Sequence, residues 1–179
     1  YPLMQSLDIP HLNADIAFGG IDQRGIYMLS REILPQLGYK KPACVFNPLL
    51  PGLTGDKMSA SDEKSKIDVL DGQKQIIKKI NKSYCPIGEV NDNGIISIVE
   101  YVIFPYLERK GDKFIIDRPE KFGGEIIYED CSKLKKDFSD EKLHPADLKL
   151  GTSKYLNEIL EKVRIRFKEK DELLNKAFS

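Results

Sequence analysis

The stretch that decides the fold is ADIAFGGIDQRGIYMLSREILPQLG, residues 14–38, with ACVF following at residues 43–46. Residues 14–18 are mostly apolar and end at Gly19-Gly20, as a buried parallel strand does before a tight turn. A helix is predicted next, with Asp22 able to cap its start and Gly38 to close it, because apolar residues recur at helical spacing. These apolar residues are Ile26, Leu29, Ile33 and Leu37. With ACVF as the next strand, the order predicts half of a doubly wound α/β unit.

The flanking sequence predicts further helices. Residues 1–12 form a helix that directs Leu3, Met4 and Leu7 toward a core. Past residue 75 the pattern is mostly helical, with helices expected around residues 76–84, 95–107 and 154–178, and a small hairpin that pairs residues 114–116 with residues 122–128. The fold class is therefore α/β followed by mostly α, with a boundary between residues 1–75 and 76–179.

Composition limits the possible partners. The 179 residues carry 28 Lys+Arg against 28 Asp+Glu, so no bulk positive field attracts nucleic acid and any RNA contact must be local. Three dispersed cysteines without a CxxC pair predict neither a disulfide framework nor a metal site, and fit a reducing cytoplasm. No apolar run reaches the roughly 18 residues that span a bilayer. The chain begins with Tyr1-Pro2, so we expect it to belong to a longer protein.

Two groups of polar residues are candidate ligand contacts. Tyr1, Gln5 and Asp8 share one helix face and offer a phenol, an amide and a carboxylate to a small polar ligand. The alternative is an ordinary solvated face. Gly20, Asp22 and Gln23 follow the carboxyl end of a parallel strand, where ligands of such sheets bind. Asp22 could accept from ribose hydroxyls or cap its helix, and Gln23 could point back toward the first helix.

A third candidate is the loop GDKMSAS at residues 55–61. Glycine and proline mark this segment as a loop, and Lys57 with the hydroxyls of Ser59 and Ser61 could bind phosphate oxygens. The alternative is a solvated surface loop.

Together these motifs resemble the second half of a tyrosyl-tRNA synthetase of the archaeal and eukaryotic cytoplasmic type. The resemblance rests on YPLMQSLDI, FGGIDQRGIYMLSREILP, NPLLPGLTGDKMSASDEKSKIDVLD and HPADLK, which keep order and spacing over nearly the whole chain. It implies that residues 1–75 are the carboxyl portion of a Rossmann-type catalytic domain with a KMSKS-type loop, and that residues 76–179 are a helical anticodon-binding domain.

The resemblance also implies a role for each candidate residue. Tyr1, Gln5 and Gln23 would hold the amino group of the substrate tyrosine, and Asp8 would bond its phenolic hydroxyl. Contacts to ATP and the adenylate would come from Gly20, Asp22, Lys57 and Met58, and the catalytic loop residues would be Lys57, Ser59 and Ser61. The anticodon contacts would be Phe122, His144, Ala146 and Asp147. For residues 144–147 a capped helix start is the alternative.

The implied reaction uses ATP, with Mg²⁺ accompanying it, to activate L-tyrosine and transfer it to tRNA(Tyr), with no tightly bound cofactor, no protein metal site and no membrane. A homodimer is implied for the full-length protein. The sequence departs from the family at Ala60, where the signature has a second lysine, and it lacks the HIGH signature and the first half of the nucleotide fold, so we expect this piece alone to be inactive. A noncatalytic RNA-binding or regulatory remnant stays an alternative, as does a tryptophanyl enzyme, because tryptophanyl relatives also use KMSAS.

Overall fold

The computed structural model describes residues 1–55, 58, 62–168, 170 and 176. The chain divides into two compact units, Tyr1–Leu49 and Leu50–Ser179. Leu53 is fully buried in the core of the second unit, so the segment after residue 49 packs with the helical part. The boundary predicted at residue 75 separates a catalytic domain from an anticodon-binding domain, and this division stays a prediction.

The first unit contains a parallel strand pair, with one helix before the first strand and another helix between the two strands. Helix α1 (Pro2–His11) precedes strand β1 (Ile16–Gly20), and a 3-10 turn leads into helix α2 (Arg24–Gln36) and strand β2 (Ala43–Asn47). β1 and β2 pair in parallel, from Ile16 opposite Ala43 to Gly20 opposite Asn47. The predicted order of strand, turn, helix and parallel strand is confirmed, and Gly38 ends the helix at a φ of +82° as expected.

The predicted inward face of α1 is wrong. Leu3, Met4 and Leu7 are exposed, whereas Ser6 and Ile9 are buried. Ser30 Oγ on α2 donates to Ser6 Oγ at 2.8 Å, and Ser6 Oγ donates in turn to the Pro2 carbonyl at 2.9 Å. These hydrogen bonds satisfy both hydroxyls, so a polar residue can face inward without penalty.

Asp22 does not cap α2. The residues between β1 and α2 form the 3-10 turn Ile21–Gln23, and the helix begins without a side-chain cap. The Asp22 carboxylate instead accepts from Gln23 Nε2 at 3.0 Å. The carboxylate therefore belongs to a side-chain network and not to the helix end.

The second unit is mostly helical. After α3 (Gln73–Lys82), a continuous apolar helix runs through α4 (Gly94–Ile98), a π-helical turn (Val99–Ile103) and α5 (Phe104–Lys110). The predicted helix at residues 95–107 is confirmed, with one irregularity. Pro105 lacks the N–H that would bond the Tyr101 carbonyl, which accounts for the widened turn just before it.

The small hairpin is also confirmed. β3 (Phe114–Ile116) pairs antiparallel with β4 (Ile126–Tyr128). Helix α6 (Cys131–Ser139) follows, and the long helix α7 (Pro145–Phe167) packs on the hairpin. A Cβ added to Gly151 of α7 would lie 2.8 Å from Phe114 Cζ, so only glycine permits this close approach.

Helix α7 begins nine residues before its predicted start. His144 caps the helix, because its Nδ1 accepts the Ala146 N–H at 3.1 Å, and Pro145 occupies the first helical position, where no N–H is needed. The capped helix start considered for residues 144–147 is thus present. The predicted helical residues beyond 168 lie largely outside the described part of the chain.

Candidate functional site

An open cavity of about 550 Å³ lies beside α1 and β1 in the first unit. Three of the predicted site residues, Tyr1, Gln5 and Asp8, contribute to its wall, and α1 and β1 supply most of the rest. The apolar lining comes largely from Met4, Ile9, Leu12, Ala14, Ile16, Ala17 and Phe18. The helical spacing that predicted one shared face therefore brings the phenol, the amide and the carboxylate to one concave surface.

Gln23 joins this surface through hydrogen bonds, as its predicted direction required. Its Oε1 accepts from Gln5 Nε2 at 3.2 Å and from the Tyr1 hydroxyl at 3.4 Å, while its Nε2 donates to Asp22 at 3.0 Å. The amide of Gln23 thus connects the cavity wall to the carboxylate at the end of β1. These hydrogen bonds direct the Gln23 side chain toward Gln5 and Tyr1.

Gly20 leaves room for the Asp22 carboxylate. A Cβ at position 20 would lie 2.4 Å from Asp22 Oδ1, so any side chain there would displace the carboxylate. The predicted pair, Gly20 and Asp22, therefore forms one structural element at the carboxyl end of a parallel strand, where ligands approach the backbone.

Tyr27 lines the same cavity, and the sequence analysis did not include it. Its ring stacks on Phe46 at 5.7 Å between centroids, and its hydroxyl lies 3.4 Å from the Phe18 carbonyl. Tyr27 follows Gln23 by four residues, so helical spacing alone would have placed both side chains on the same side.

Most of the predicted phosphate-binding loop, residues 55–61, lies outside the described residues. Lys57, Ser59 and Ser61 lie outside the described residues, and of the predicted loop contacts only Met58 is described, with an exposed side chain.

One of the predicted anticodon residues, Asp147, pairs with Arg118, a residue that no sequence motif indicated. Arg118 Nη1 lies 3.2 Å from Asp147 Oδ2, and the exposed fractions of the two side chains are 15% and 23%. Arg118 Nε also donates to the Gly124 carbonyl at 3.0 Å. The guanidinium therefore ties the first turn of α7 to the turn that precedes β4. It is 29 residues from Asp147, and no sequence spacing could have predicted the contact.

Phe122 and His144 offer accessible rings in the same unit. Phe122 ends the 3-10 turn Glu120–Phe122 and is 60% exposed, with the Lys121 ammonium 4.9 Å from its ring centroid. His144 and Ala146 are exposed at the start of α7. Phe122 and Lys121 together offer an aromatic ring and a cation, which suit an unpaired base and its phosphate.

Tyr128 is a structural group in this part of the fold. Burial raises the pKa of Tyr128 to about 12, and the Asp137 carboxylate adds to the rise. Its hydroxyl therefore stays protonated at neutral pH and does not act as a base.

Among the described residues, no group of three or more His, Cys, Asp or Glu side chains could hold a metal ion. Nor does that part of the chain contain a helix long and apolar enough to cross a membrane.

Comparison with known proteins identifies the class. Residues 1–161 match the family described as tRNA synthetases class I (W and Y), and the chain belongs to this family. Tyrosine–tRNA ligase of Haloarcula marismortui is 51% identical over 178 residues, which cover 99% of this chain and 51% of the relative. The cytoplasmic tyrosine–tRNA ligase of Saccharomyces cerevisiae is 52% identical over 172 residues, covering 93% of this chain and 44% of the relative.

A solved structure agrees with these relatives. Tyrosyl-tRNA synthetase from Archaeoglobus fulgidus, complexed with L-tyrosine, superposes with a TM-score of 0.84 at 48% identity, covering 93% of this chain and 50% of that one. The resemblance drawn from the sequence motifs is confirmed. The chain spans about half the length of the curated relatives it matches.

Proposed function

We propose that this chain is part of a tyrosine–tRNA ligase, which activates L-tyrosine with ATP and transfers it to the 3′-terminal adenosine of tRNA(Tyr). The observation that carries the proposal is the cavity in which Tyr1, Gln5 and Asp8 meet, with Gln23 hydrogen-bonded to its wall. This cavity suits a small polar ligand. The relatives named tyrosine–tRNA ligase are about 50% identical in sequence to nearly the whole of this chain.

In the proposed site the substrate tyrosine lies in this cavity. Asp8, which is exposed to the cavity, accepts a hydrogen bond from the phenolic hydroxyl. Tyr1, Gln5 and Gln23 hold the amino group. The Tyr1 hydroxyl oxygen and Gln5 Oε1 are suitable acceptors, while Gln23, whose Oε1 accepts from both of these side chains, holds them in place. A site built around a hydrogen bond to the hydroxyl rejects an analogue that lacks it, because the carboxylate would then be left unpaired.

ATP would lie at the carboxyl end of β1. Gly20 lets the ribose approach the backbone, Asp22 accepts from its hydroxyls, and Met58 contacts the nucleotide. Lys57, Ser59 and Ser61 would steady the triphosphate, with Mg²⁺ entering as part of the substrate. The tyrosine carboxylate then attacks the α-phosphorus and pyrophosphate leaves, so the chain's residues contribute positioning and charge stabilisation with no covalent enzyme intermediate.

The anticodon of tRNA would be bound by the second unit. Phe122 stacks on an unpaired base, and His144 and Ala146 contact its neighbours. Asp147 accepts hydrogen bonds from guanine, the usual first anticodon base for tyrosine.

We further propose a Rossmann-type catalytic domain up to residue 75, an anticodon-binding domain after it and a homodimeric full-length enzyme. We also propose a cytoplasmic location, which the name of the yeast relative suggests.

Exchange of labelled pyrophosphate into ATP tests the proposal. The full-length parent should show exchange that depends on tyrosine and not on tryptophan, whereas the 179 residues alone should show none, because the HIGH signature is not in this sequence. Exchange that depends on tryptophan would favour the tryptophanyl alternative. Failure of the parent to exchange with either amino acid would favour the noncatalytic remnant.

A further inference from the structure

A second cavity, of about 530 Å³, lies in the helical unit and is unusually rich in lysine. It is formed by α3 and by the segments on either side of residues 55–61. Its lining consists of Leu53, Thr54, Glu63, Lys64, Gln75, Lys78, Lys79 and Lys82. None of these residues belongs to the proposed tyrosine, nucleotide or anticodon contacts.

The lysines of this cavity fall into two kinds. Lys79 is mostly buried and its ammonium lies 2.5 Å from the carboxylate of the buried Asp71, which also accepts the Asp68 N–H at 2.9 Å. Lys79 is therefore a structural residue. Lys64, Lys78 and Lys82 are exposed and form no ion pair within the described part of the chain. Against their three positive charges the lining contains one carboxylate, Glu63, so the cavity keeps a net charge of about +2.

Two of these exposed lysines are held at a fixed spacing by α3. Lys78 and Lys82 are one turn apart on α3, which separates them by about 6 Å along the helix axis. The fully buried Ile76 and Ile80 fix the rotation of this helix. Its carboxyl end is held by Lys149, whose ammonium donates to the carbonyls of Asn81 and Ser83 at 3.2 and 2.8 Å.

We propose that Lys78 and Lys82, with Lys64 in the lining of the same cavity, bind backbone phosphates of the tRNA, as a contact additional to the anticodon site. Exposed ammonium groups repeated one helical turn apart suit a polyanion whose charges repeat along a chain, and phosphate contacts of this kind position RNA without reading its sequence. In a chain whose total charge is zero, this lysine cluster supplies the local attraction that RNA needs. This inference rests on the proposed function, because it takes tRNA as the ligand.

The test is tRNA binding by the full-length parent carrying Lys78→Gln and Lys82→Gln. Both side chains are exposed, and glutamine is as good a helix former as lysine, so the fold should be unaffected. Each phosphate contact contributes a slope of about −0.9 to the dependence of log K on log[salt], so the double variant should bind tRNA(Tyr) with a slope shallower by about 2. At about 0.1 M salt, the loss should be roughly five- to tenfold for each lysine.

Two control variants separate this effect from general loss of charge. Lys133→Gln with Lys136→Gln removes two exposed lysines of α6 that likewise form no ion pair in the described residues, and should leave binding unchanged. Lys78→Arg with Lys82→Arg keeps the charge and should restore binding. The loss should be the same for tRNA with the natural anticodon and for tRNA with a substituted one, because phosphates carry no sequence information.

Pyrophosphate exchange distinguishes failure of this inference from failure of the proposed function. If the parent shows tyrosine-dependent exchange but the Gln variants bind tRNA with unchanged affinity and salt dependence, the RNA assignment is wrong. A raised KM for ATP in exchange, with normal tRNA binding, would assign the lysines to nucleotide phosphates and would also overturn it. Absence of exchange by the parent itself would instead contradict the proposed function.

Discussion

Replacing Asp147 by alanine should have two separable effects. The first is on stability, because Arg118 would lose its partner while remaining only 15% exposed. A hydrogen bond between charged groups contributes about 1.5 to 3 kcal/mol. Because the separation is 3.2 Å and the carboxylate is 23% exposed, we expect the lower end, about 1 to 2 kcal/mol. In a chain of 150 to 250 residues, a range that includes this one, a loss of about 1 to 2 kcal/mol in the free energy of unfolding lowers Tm by roughly 2 to 8 °C.

The second effect is on RNA recognition. Loss of the acceptor would leave guanine edge groups unpaired at a cost of about 1 to 3 kcal/mol, which corresponds to roughly 5- to 150-fold in kcat/KM for tRNA. Aminoacylation by the full-length variant should therefore weaken while pyrophosphate exchange stays intact. The loss should shrink when the first anticodon base is changed from guanine to adenine.

Arg118→Gln is the matched control, because it removes the ion pair and keeps the Asp147 carboxylate. It should lower Tm by a similar amount, yet the preference for guanine over adenine should persist. Equal losses of Asp147→Ala with both tRNAs would refute the reasoning and would leave Asp147 as a partner of Arg118 only.

Three further predictions concern other parts of the chain. Lys57→Ala in the parent should slow adenylate formation in single-turnover kinetics with little change in tyrosine affinity, since its contact belongs to the reacting triphosphate; a loss of tyrosine binding alone would contradict this role. Gly151→Ala should lower stability by about 1 to 3 kcal/mol in denaturant unfolding, because the new Cβ would meet Phe114; Gly25→Ala, where an added Cβ meets nothing within 4 Å, should not. Burial, with a contribution from Glu100, raises the pKa of Cys131 to about 11. Iodoacetamide at pH 8 should therefore alkylate this thiol about a hundredfold more slowly than an unperturbed thiol, and the rate should rise as the pH approaches 11. A rate equal to that of a free thiol would refute the burial of this side chain.

The features that sequence predicted well are those set by local chemistry. The strand that ends at Gly19-Gly20, the helix ended by Gly38 and the hairpin at residues 114–128 depend on apolar spacing and on residues that tolerate positive φ. The shared face of Tyr1, Gln5 and Asp8 follows from helix periodicity in the same way, and the structure brings all three to one cavity.

The features that sequence missed depend on partners distant in the chain. Ser6 faces inward because Ser30, 24 residues later, satisfies its hydroxyl, so counting apolar residues selected the wrong face of α1. A helix cap was one of two roles open to Asp22, but its carboxylate accepts from Gln23, and the absence of a Cβ at Gly20 leaves room for it at the end of β1. Arg118 became visible only when folding brought it to Asp147.

The most direct test of the central claim is the ratio of kcat/KM values for tyrosine and phenylalanine in pyrophosphate exchange by the full-length parent. For tyrosyl-tRNA synthetases this discrimination is about 10⁵, a magnitude established for that class of enzyme and not calculated from this structure. Asp8 lies on the cavity wall as the proposed acceptor for the hydroxyl. We predict that Asp8→Ala collapses the ratio by lowering the tyrosine value. A ratio unchanged by Asp8→Ala would contradict the assignment of this cavity to the substrate tyrosine.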